Sequence, residues 1–258
     1  MNDRRRMEDK VCVVTGSTGG IGEAIAVLLA EHGGKVVVSG RNQTNGTKIV
    51  ETITTAGNTA SFIRCDVGKD DECETLIQQT VEQFGVLHCL VNNAAATDVP
   101  KGDRSVTGVS PESWDLQFRV NLRAVFYLSR LAIPHMRQAG SGTIVNISSV
   151  GGMVAFRSHA AYVTAKGGIN QLTRSMALDY AGDNIRVNAL CPGWILTPVE
   201  EARIKNDPAV VERQIEQMGL QRMGTPREMA YAALFLACEE SSYVTGTALV
   251  ADGGWTLQ

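Results

Sequence analysis

Val11-Cys12-Val13-Val14-Thr15-Gly16-Ser17-Thr18-Gly19-Gly20-Ile21-Gly22 is the stretch that decides how this chain folds. It opens with an unbroken apolar, β-branched run, the pattern of a strand buried on both faces of a parallel sheet. Glycines follow at 16, 20 and 22, and then a helical pattern from Ile21 to His32 that Gly33-Gly34 closes. A strand that turns through glycines into a helix offers phosphate the helix's unpaired N–H groups and positive dipole end. Gly16 makes the tight turn, Gly20 lets a pyrophosphate approach the backbone, and Gly22 allows the helix to pack closely. With Ser17, Thr18 and Ile21, these residues form a candidate dinucleotide cradle.

The same alternation continues along the chain. Strands are predicted at Val36 to Ser39, Ser61 to Arg64, Cys89 to Asn92, Thr143 to Ser148, Arg186 to Leu190 and Ala248 to Ala251. Between them lie helices such as Asp71 to Phe84, closed by Gly85. Thr225-Pro226-Arg227-Glu228 reads as a capping box with proline at the first helical position, opening a helix through Ala237. Strand-helix alternation of this kind predicts an α/β fold, a doubly wound parallel sheet. The expected layout is a flexible tail over 1–9, carrying Arg4-Arg5-Arg6, and a single domain over 10–258.

Composition narrows the function. The 258 residues are 44% hydrophobic, enough for one sizeable core, and the net charge of −3 gives no basic footprint for nucleic acid. Cysteines at 12, 65, 73, 89, 191 and 238 lack metal-ligand spacing and read as reduced core residues. No metal is expected. No apolar run approaches the roughly 20 residues needed to span a bilayer, and the start has no signal-peptide core. A cytoplasmic protein without a membrane partner is expected.

After the second strand, Ser39-Gly40-Arg41-Asn42 has no carboxylate to accept from a ribose 2′-hydroxyl and has one arginine that pairs well with a 2′-phosphate. This favours NADP(H) over NAD(H), the other reading being that Arg41 covers the adenine or points to water. Asp66-Val67, after the third strand, either receives the adenine amino group or serves a turn.

Tyr162 and Lys166 lie four residues apart in an Ala-rich run that should be helical, so they share one face. Bringing a phenol from a pKa of about 10 to about 7 takes roughly 4 kcal/mol. An ammonium about 4 Å away at an effective dielectric of about 20 supplies energy of that order. Such a tyrosine can act as a general acid/base at neutral pH. A Tyr-x-x-x-Lys pair also arises by chance on helices, and it is the company of the other motifs that gives it meaning.

From Lys10 to Trp255 the chain resembles the short-chain dehydrogenase/reductase family. The resemblance rests on Thr15-Gly16-x-x-x-Gly20-x-Gly22, Asp66-Val67, Asn92-Asn93-Ala94-Ala95, Asn121, Ser149, Tyr162-x-x-x-Lys166, Pro192-Gly193 and Asp252-Gly253-Gly254. It implies a Rossmann fold and hydride transfer between a nicotinamide and a carbonyl or alcohol. Tyr162 would be the acid/base, Lys166 would lower its pKa and bond the ribose, Ser149 would polarise the carbonyl, and Asn121 would hold a water beside the lysine through its backbone carbonyl. Ser148 would lie on the strand's other face. Asn93, Ala94 and Ala95, then Pro192, Gly193, Ile195 and Thr197, would complete the cofactor site, although Thr197 alone also reads as a helix-starting residue. Ala95 replaces the family's usual glycine, which matters only if that position requires φ > 0.

The resemblance also places a substrate wall at Val154, Phe156, His159, Trp194 and Ile195, mostly apolar with one imidazole, and a lid over about 194–221. His159 alone reads equally as a surface residue. The implied activity is interconversion of a ketone and a secondary alcohol on a small, mostly apolar molecule. A reductase of 3-oxoacyl groups on acyl-carrier protein shares every motif, and a non-catalytic cofactor-binding protein would normally have lost Tyr162 or Lys166. The polar stretch 96–105 either covers the site or is a solvated loop. Leu122, Val125, Phe126, Leu128, Leu131 and Ile133 surround the predicted Leu116 to Met136 helix, which with the Ala160 to Tyr180 helix implies a homotetramer, or at least a dimer.

Overall fold

The computed structural model describes residues 5–96, 105–206, 212 and 215–257. Seven strands form one parallel sheet: β1 (Val11–Val14), β2 (Lys35–Gly40), β3 (Ala60–Arg64), β4 (Cys89–Asn92), β5 (Gly142–Ile147), β6 (Ile185–Pro192) and β7 (Ala248–Ala251). Their spatial order is β3-β2-β1-β4-β5-β6-β7, so the order reverses between β1 and β4. That switch point opens a crevice at the carboxyl ends of the strands, where ligands bind in such sheets.

The strand pattern explains why both faces are covered. Cys12, Val14, Val36 and Val38 point into a core shared with Ile25 and Leu29 of α1 (Gly20–Glu31). Leu234 of α8 (Pro226–Ala237) closes the same layer. Val13, Val37, Leu90 and Ile144 point the other way, onto Leu76 of α3 (Asp70–Phe84), Leu128 and Met136 of α5 (Ala124–Gln138), and Met176 of α6 (Ala160–Tyr180). The period-2 alternation thus feeds two apolar layers, and each fully buried Val, Leu or Ile contributes roughly 1.5–3 kcal/mol.

Helix ends follow their sequence signals. Gly85 ends α3 in the left-handed region at φ +78°. Thr225 and Glu228 form the capping box of α8, with Pro226 in its first turn. Asn42 caps α2 (Gln43–Thr55), its side chain accepting from Asn45 N–H at 3.0 Å.

Three expectations change. Residues 5–9 are not a free tail: Met7 is only 1% exposed and its N–H donates to His32 O at 2.9 Å, while Arg6 pairs with Glu240. An apolar residue amid charges marks this as packed chain, which the Arg run concealed. The single helix expected from Leu116 to Met136 is α4 (Pro111–Phe118) and α5 joined by one π-helical turn, Arg119–Arg123. Of the apolar residues around it, Val125, Leu128 and Ile133 are buried in the chain's own core and Leu122 packs over Gly168 of α6, so a smaller part is left uncovered than the pattern implied.

Of the stretch 96–105, only Ala96 and Ser105 lie within the described residues. The expected lid begins with α7 (Pro198–Asn206), and its end is anchored where Met218 is buried and Leu220 N–H donates to Gly253 O at 2.9 Å. No helix among the described residues is long and apolar enough to cross a membrane.

Candidate active site

The glycines of the opening turn have different physical roles. A Cβ on Gly16, at φ +62°, would lie 2.6 Å from Ala94 Cα, and one on Gly22 would lie 2.3 Å from Asn93 Nδ2 and 2.5 Å from Gly16 O. These two must be glycine because β4's end packs directly on the turn. Asn93 locks the contact, donating to Thr15 O at 2.9 Å and Gly16 O at 3.0 Å, while Thr15 Oγ1 accepts from Asn93 N–H at 3.0 Å and Ala94 N–H at 3.2 Å. Gly20 differs: at φ +59°, its Cβ would meet nothing nearer than Thr197 Cγ2 at 3.6 Å. The helix cap there is Gly19, with no side chain supplying an acceptor to the first N–H groups of α1. Open space over an uncapped helix N-terminus fits a phosphate.

Around this cradle the assigned residues divide. Ser17 is fully buried, its Oγ donating to Val14 O at 2.6 Å and accepting from Ser39 N–H at 2.9 Å, so its side chain staples β1 to β2 instead of facing the cleft. Ser39 is likewise buried, and the Asn42 carboxamide oxygen is the α2 cap. Thr18 lies against Gly40, and Arg41 is exposed beside them. Asp66 Oδ1 accepts from Gly68 N–H at 3.0 Å, the turn role, with Val67 buried behind it. Ala95 is absent from the left-handed non-glycine positions, which among the described residues are Asp9, Ser158, Asn184 and Gln221, so its methyl imposes no backbone strain.

The catalytic candidates converge where β5 ends. Ser148 Oγ donates to Lys166 O at 3.0 Å, turned away from Ser149 as expected of neighbours on an extended chain. Ser149 is extended, at φ −169° and ψ 158°, and its Oγ accepts from Gly151 N–H at 3.0 Å. On α6, Lys166 is 3% exposed, with Nζ 5.8 Å from the Tyr162 ring centroid and donating to Ile147 O at 2.7 Å. Burial lowers its ammonium from 10.5 to about 8. A cation held in so dry a place acts strongly on a neighbouring phenol, because little water screens it.

Asn121 is buried at the π turn, accepting from Ala96 N–H at 2.8 Å through Oδ1 and bonding Gln117 through Nδ2. It therefore ties the segment after β4 to the helix that faces α6. Pro192 ends β6, and Gly193 N–H donates to Ala251 O at 3.0 Å. Thr197 Oγ1 accepts from Glu200 N–H at 3.4 Å at the start of α7, the helix-starting role, and its methyl faces Gly20.

The wall differs from expectation at one point. Ile195 is 5% exposed, in the core against Gly224, so its side chain lines no cleft. Trp194 Nε1 donates to Glu200 Oε2 at 2.7 Å, tying the wall to the lid's first turn. Val154 is exposed. Phe156 stacks on Trp255 with centroids 5.2 Å apart and planes 18° apart, and meets His159 edge-on at 5.9 Å. Trp255 and the π turn escaped the sequence reading, since a tryptophan after two glycines near the end carries no local signal, and no Pro or Gly marks the π turn.

An open helix N-terminus thus follows β1, and Lys166 beside the Tyr162 ring bonds the end of β5. A family model described as enoyl-(acyl carrier protein) reductase matches residues 16–256. The chain belongs to the short-chain dehydrogenase/reductase family. It is 38% identical over 252 residues to 2-(R)-hydroxypropyl-CoM dehydrogenase of Xanthobacter autotrophicus, covering 96% of this chain and 98% of that one. It is 35% identical over 252 residues to the 3-oxoacyl-[acyl-carrier-protein] reductase FabG of Thermotoga maritima, covering 98% and 100%. The crystal structure of gox2181 superposes with a TM-score of 0.94 at 28% identity, covering 99% of each chain. This short-chain dehydrogenase/reductase is thus an oxidoreductase of a family that acts on alcohols and ketones with nicotinamide cofactors.

Proposed function

We propose that this enzyme interconverts a ketone and a secondary alcohol on a small, mostly apolar molecule, with Tyr162 as general acid/base. The observation that carries the reading is the buried Lys166 ammonium beside the Tyr162 ring on one helical face. Gly20, the uncapped end of α1 and Thr197 would hold the dinucleotide pyrophosphate, and the segment from Asn93 to Ala95 would lie against its nicotinamide half. The nicotinamide, when bound, supplies or accepts hydride at the substrate carbon. Tyr162 gives the proton to the carbonyl oxygen in reduction and takes it from the hydroxyl in oxidation. Ser149 orients that oxygen by a hydrogen bond from its hydroxyl, keeping its own proton. Lys166 favours the phenolate, and Asn121 keeps the Ala96 segment in place.

NADP(H) is favoured over NAD(H). Arg41 is exposed, no carboxylate stands between Ser39 and Asn42, and the first turn of α2 carries no acidic residue, so the surroundings suit a 2′-phosphate. The enzyme acts in the cytoplasm as a homotetramer or homodimer. A panel of ketones and alcohols, each with both nicotinamides and followed by nicotinamide absorbance, tests the reading. Turnover confined to 3-oxoacyl thioesters would favour the acyl-carrier-protein reductase reading, and no turnover on any substrate would favour a cofactor-binding role.

A further inference from the structure

The C-terminal turn adds a wall to the site. Asp252 shapes it: Oδ1 accepts from Gly254 N–H at 2.8 Å, and Oδ2 accepts from Thr256 N–H and Oγ1, both at 2.8 Å. These bonds hold the carboxylate below the usual Asp range despite burial. They also fix the short helical turn Trp255–Leu257, braced from the other side by the Leu220 to Gly253 bond at the lid's end. Trp255 is thereby laid flat on Phe156.

Phe156 in turn reaches the chemistry. The point where a Cβ of Gly151 would stand is 3.0 Å from Phe156 Cε2 and 3.4 Å from Ser149 Oγ, so the aromatic stack borders the catalytic serine. His159, three residues before Tyr162, meets the Phe156 ring edge-on. Its Nδ1 is 2.8 Å from Arg157 O. A carbonyl only accepts, so Nδ1 carries the hydrogen, and in the tautomer this contact selects Nε2 is an acceptor. Arg157 precedes Ser158, which is held at φ +61°, a conformation that a non-glycine residue rarely adopts and that the surroundings must maintain.

We infer that Trp255, Phe156 and His159 select a ring-bearing secondary alcohol or ketone that carries a second hydroxyl: the stacked aromatic faces take the ring, and His159 Nε2 accepts from the second hydroxyl. This rests on the alcohol/ketone reading above. Flat aromatic surface favours ring contact over a mobile chain, and an acceptor nitrogen pairs with a hydroxyl and not with a carboxylate, which itself only accepts.

The test compares kcat/KM for cyclohexanol, cyclohexane-1,2-diol, hexan-2-ol and hexane-2,3-diol. The wild type should prefer each cyclic compound over its linear counterpart by about tenfold or more, and the cyclic diol over cyclohexanol by a similar factor. Trp255→Leu keeps apolar volume without a flat face and should bring the ring preference near unity, as should Trp255→Ala if it folds; Trp255→Phe should retain it. His159→Phe should remove the diol advantage, and His159→Gln, which keeps an acceptor, should restore part of it. Cofactor titration by fluorescence should be unchanged in all of these variants. A linear preference in the wild type, a ring preference that survives Trp255→Leu, or a diol advantage that survives His159→Phe overturns the inference. Tyr162→Phe separates the two levels: if it stays active, the underlying reading fails whatever the ring preference, and no turnover on any probe overturns both.

Discussion

Tyr162→Phe keeps the ring that Lys166 approaches and removes only the transferable proton. It should bind cofactor like the wild type while kcat falls by about a hundredfold or more, as steady-state kinetics beside a cofactor titration will read. Arg41→Ala should raise KM for NADPH by about tenfold or more, the worth of a charge-assisted bond to phosphate, and leave NADH nearly unchanged. Equal losses with both cofactors would rule out a 2′-phosphate contact. Converting the site toward NADH by Gly40→Asp meets a steric obstacle, because a Cβ there would stand 2.8 Å from Thr18 Cγ2, so Thr18→Ala should accompany it.

Lys166 yields a pH prediction. Its folded pKa, near 8, lies below the ordinary 10.5, so the unfolded chain binds the extra proton between those values and stability rises with pH across that window. Below pH 8 both states are protonated and the burial penalty is complete. Denaturant unfolding of the cofactor-free protein at stepped pH should therefore show the wild type gaining about 3 kcal/mol relative to Lys166→Met from the bottom of the window to its top. A flat difference between the two proteins would show that the lysine is not desolvated.

At the scale of elements, what was legible in the sequence is what local chemistry dictates. The β1 turn, the cap of α8 and the stop of α3 rest on residues whose conformational needs are intrinsic, and the sequence located them to within a residue or two. Tyr162, Lys166, Ser149 and Asn121 stand out as candidates through motif spacing. The π turn, the inward rotation of Ile195, the hydroxyl role of Ser17 and the burial of Ser39 depend on what packs against them, which no local pattern records.

The glycines make the contrast testable. Gly22→Ala drives a methyl into Gly16 O, a backbone atom that cannot step aside, and should cost about 1–3 kcal/mol of stability along with cofactor affinity. Gly20→Ala has space but the wrong φ, so it should cost about 1–2 kcal/mol and weaken cofactor binding more than folding. A comparable loss of melting temperature in both, with cofactor affinity intact, would refute the assignment of Gly20 to the phosphate.

For the whole molecule, the surface that remains is narrower than the helical pattern implied. Once Val125, Leu128 and Ile133 are buried internally and Leu122 is seated over Gly168, a groove persists along Phe118, Leu122 and Phe126 between Asp115, Arg119 and Arg123. Phe126 is 47% exposed there, and Leu178 on α6 is 82% exposed. A second copy presenting the same helices would supply apolar surface to cover these large side chains. Light scattering at micromolar concentration should report an assembly of two or four times the 27.7 kDa chain mass. Phe126→Glu buries a charge at the centre of that contact and should halve the assembly or reduce it to the monomer while leaving the fold, by circular dichroism, intact. A fully active wild-type monomer would refute this interface, and an assembly unmoved by Phe126→Glu would place the contact elsewhere, with the unpaired edge of β7 as the next surface to examine.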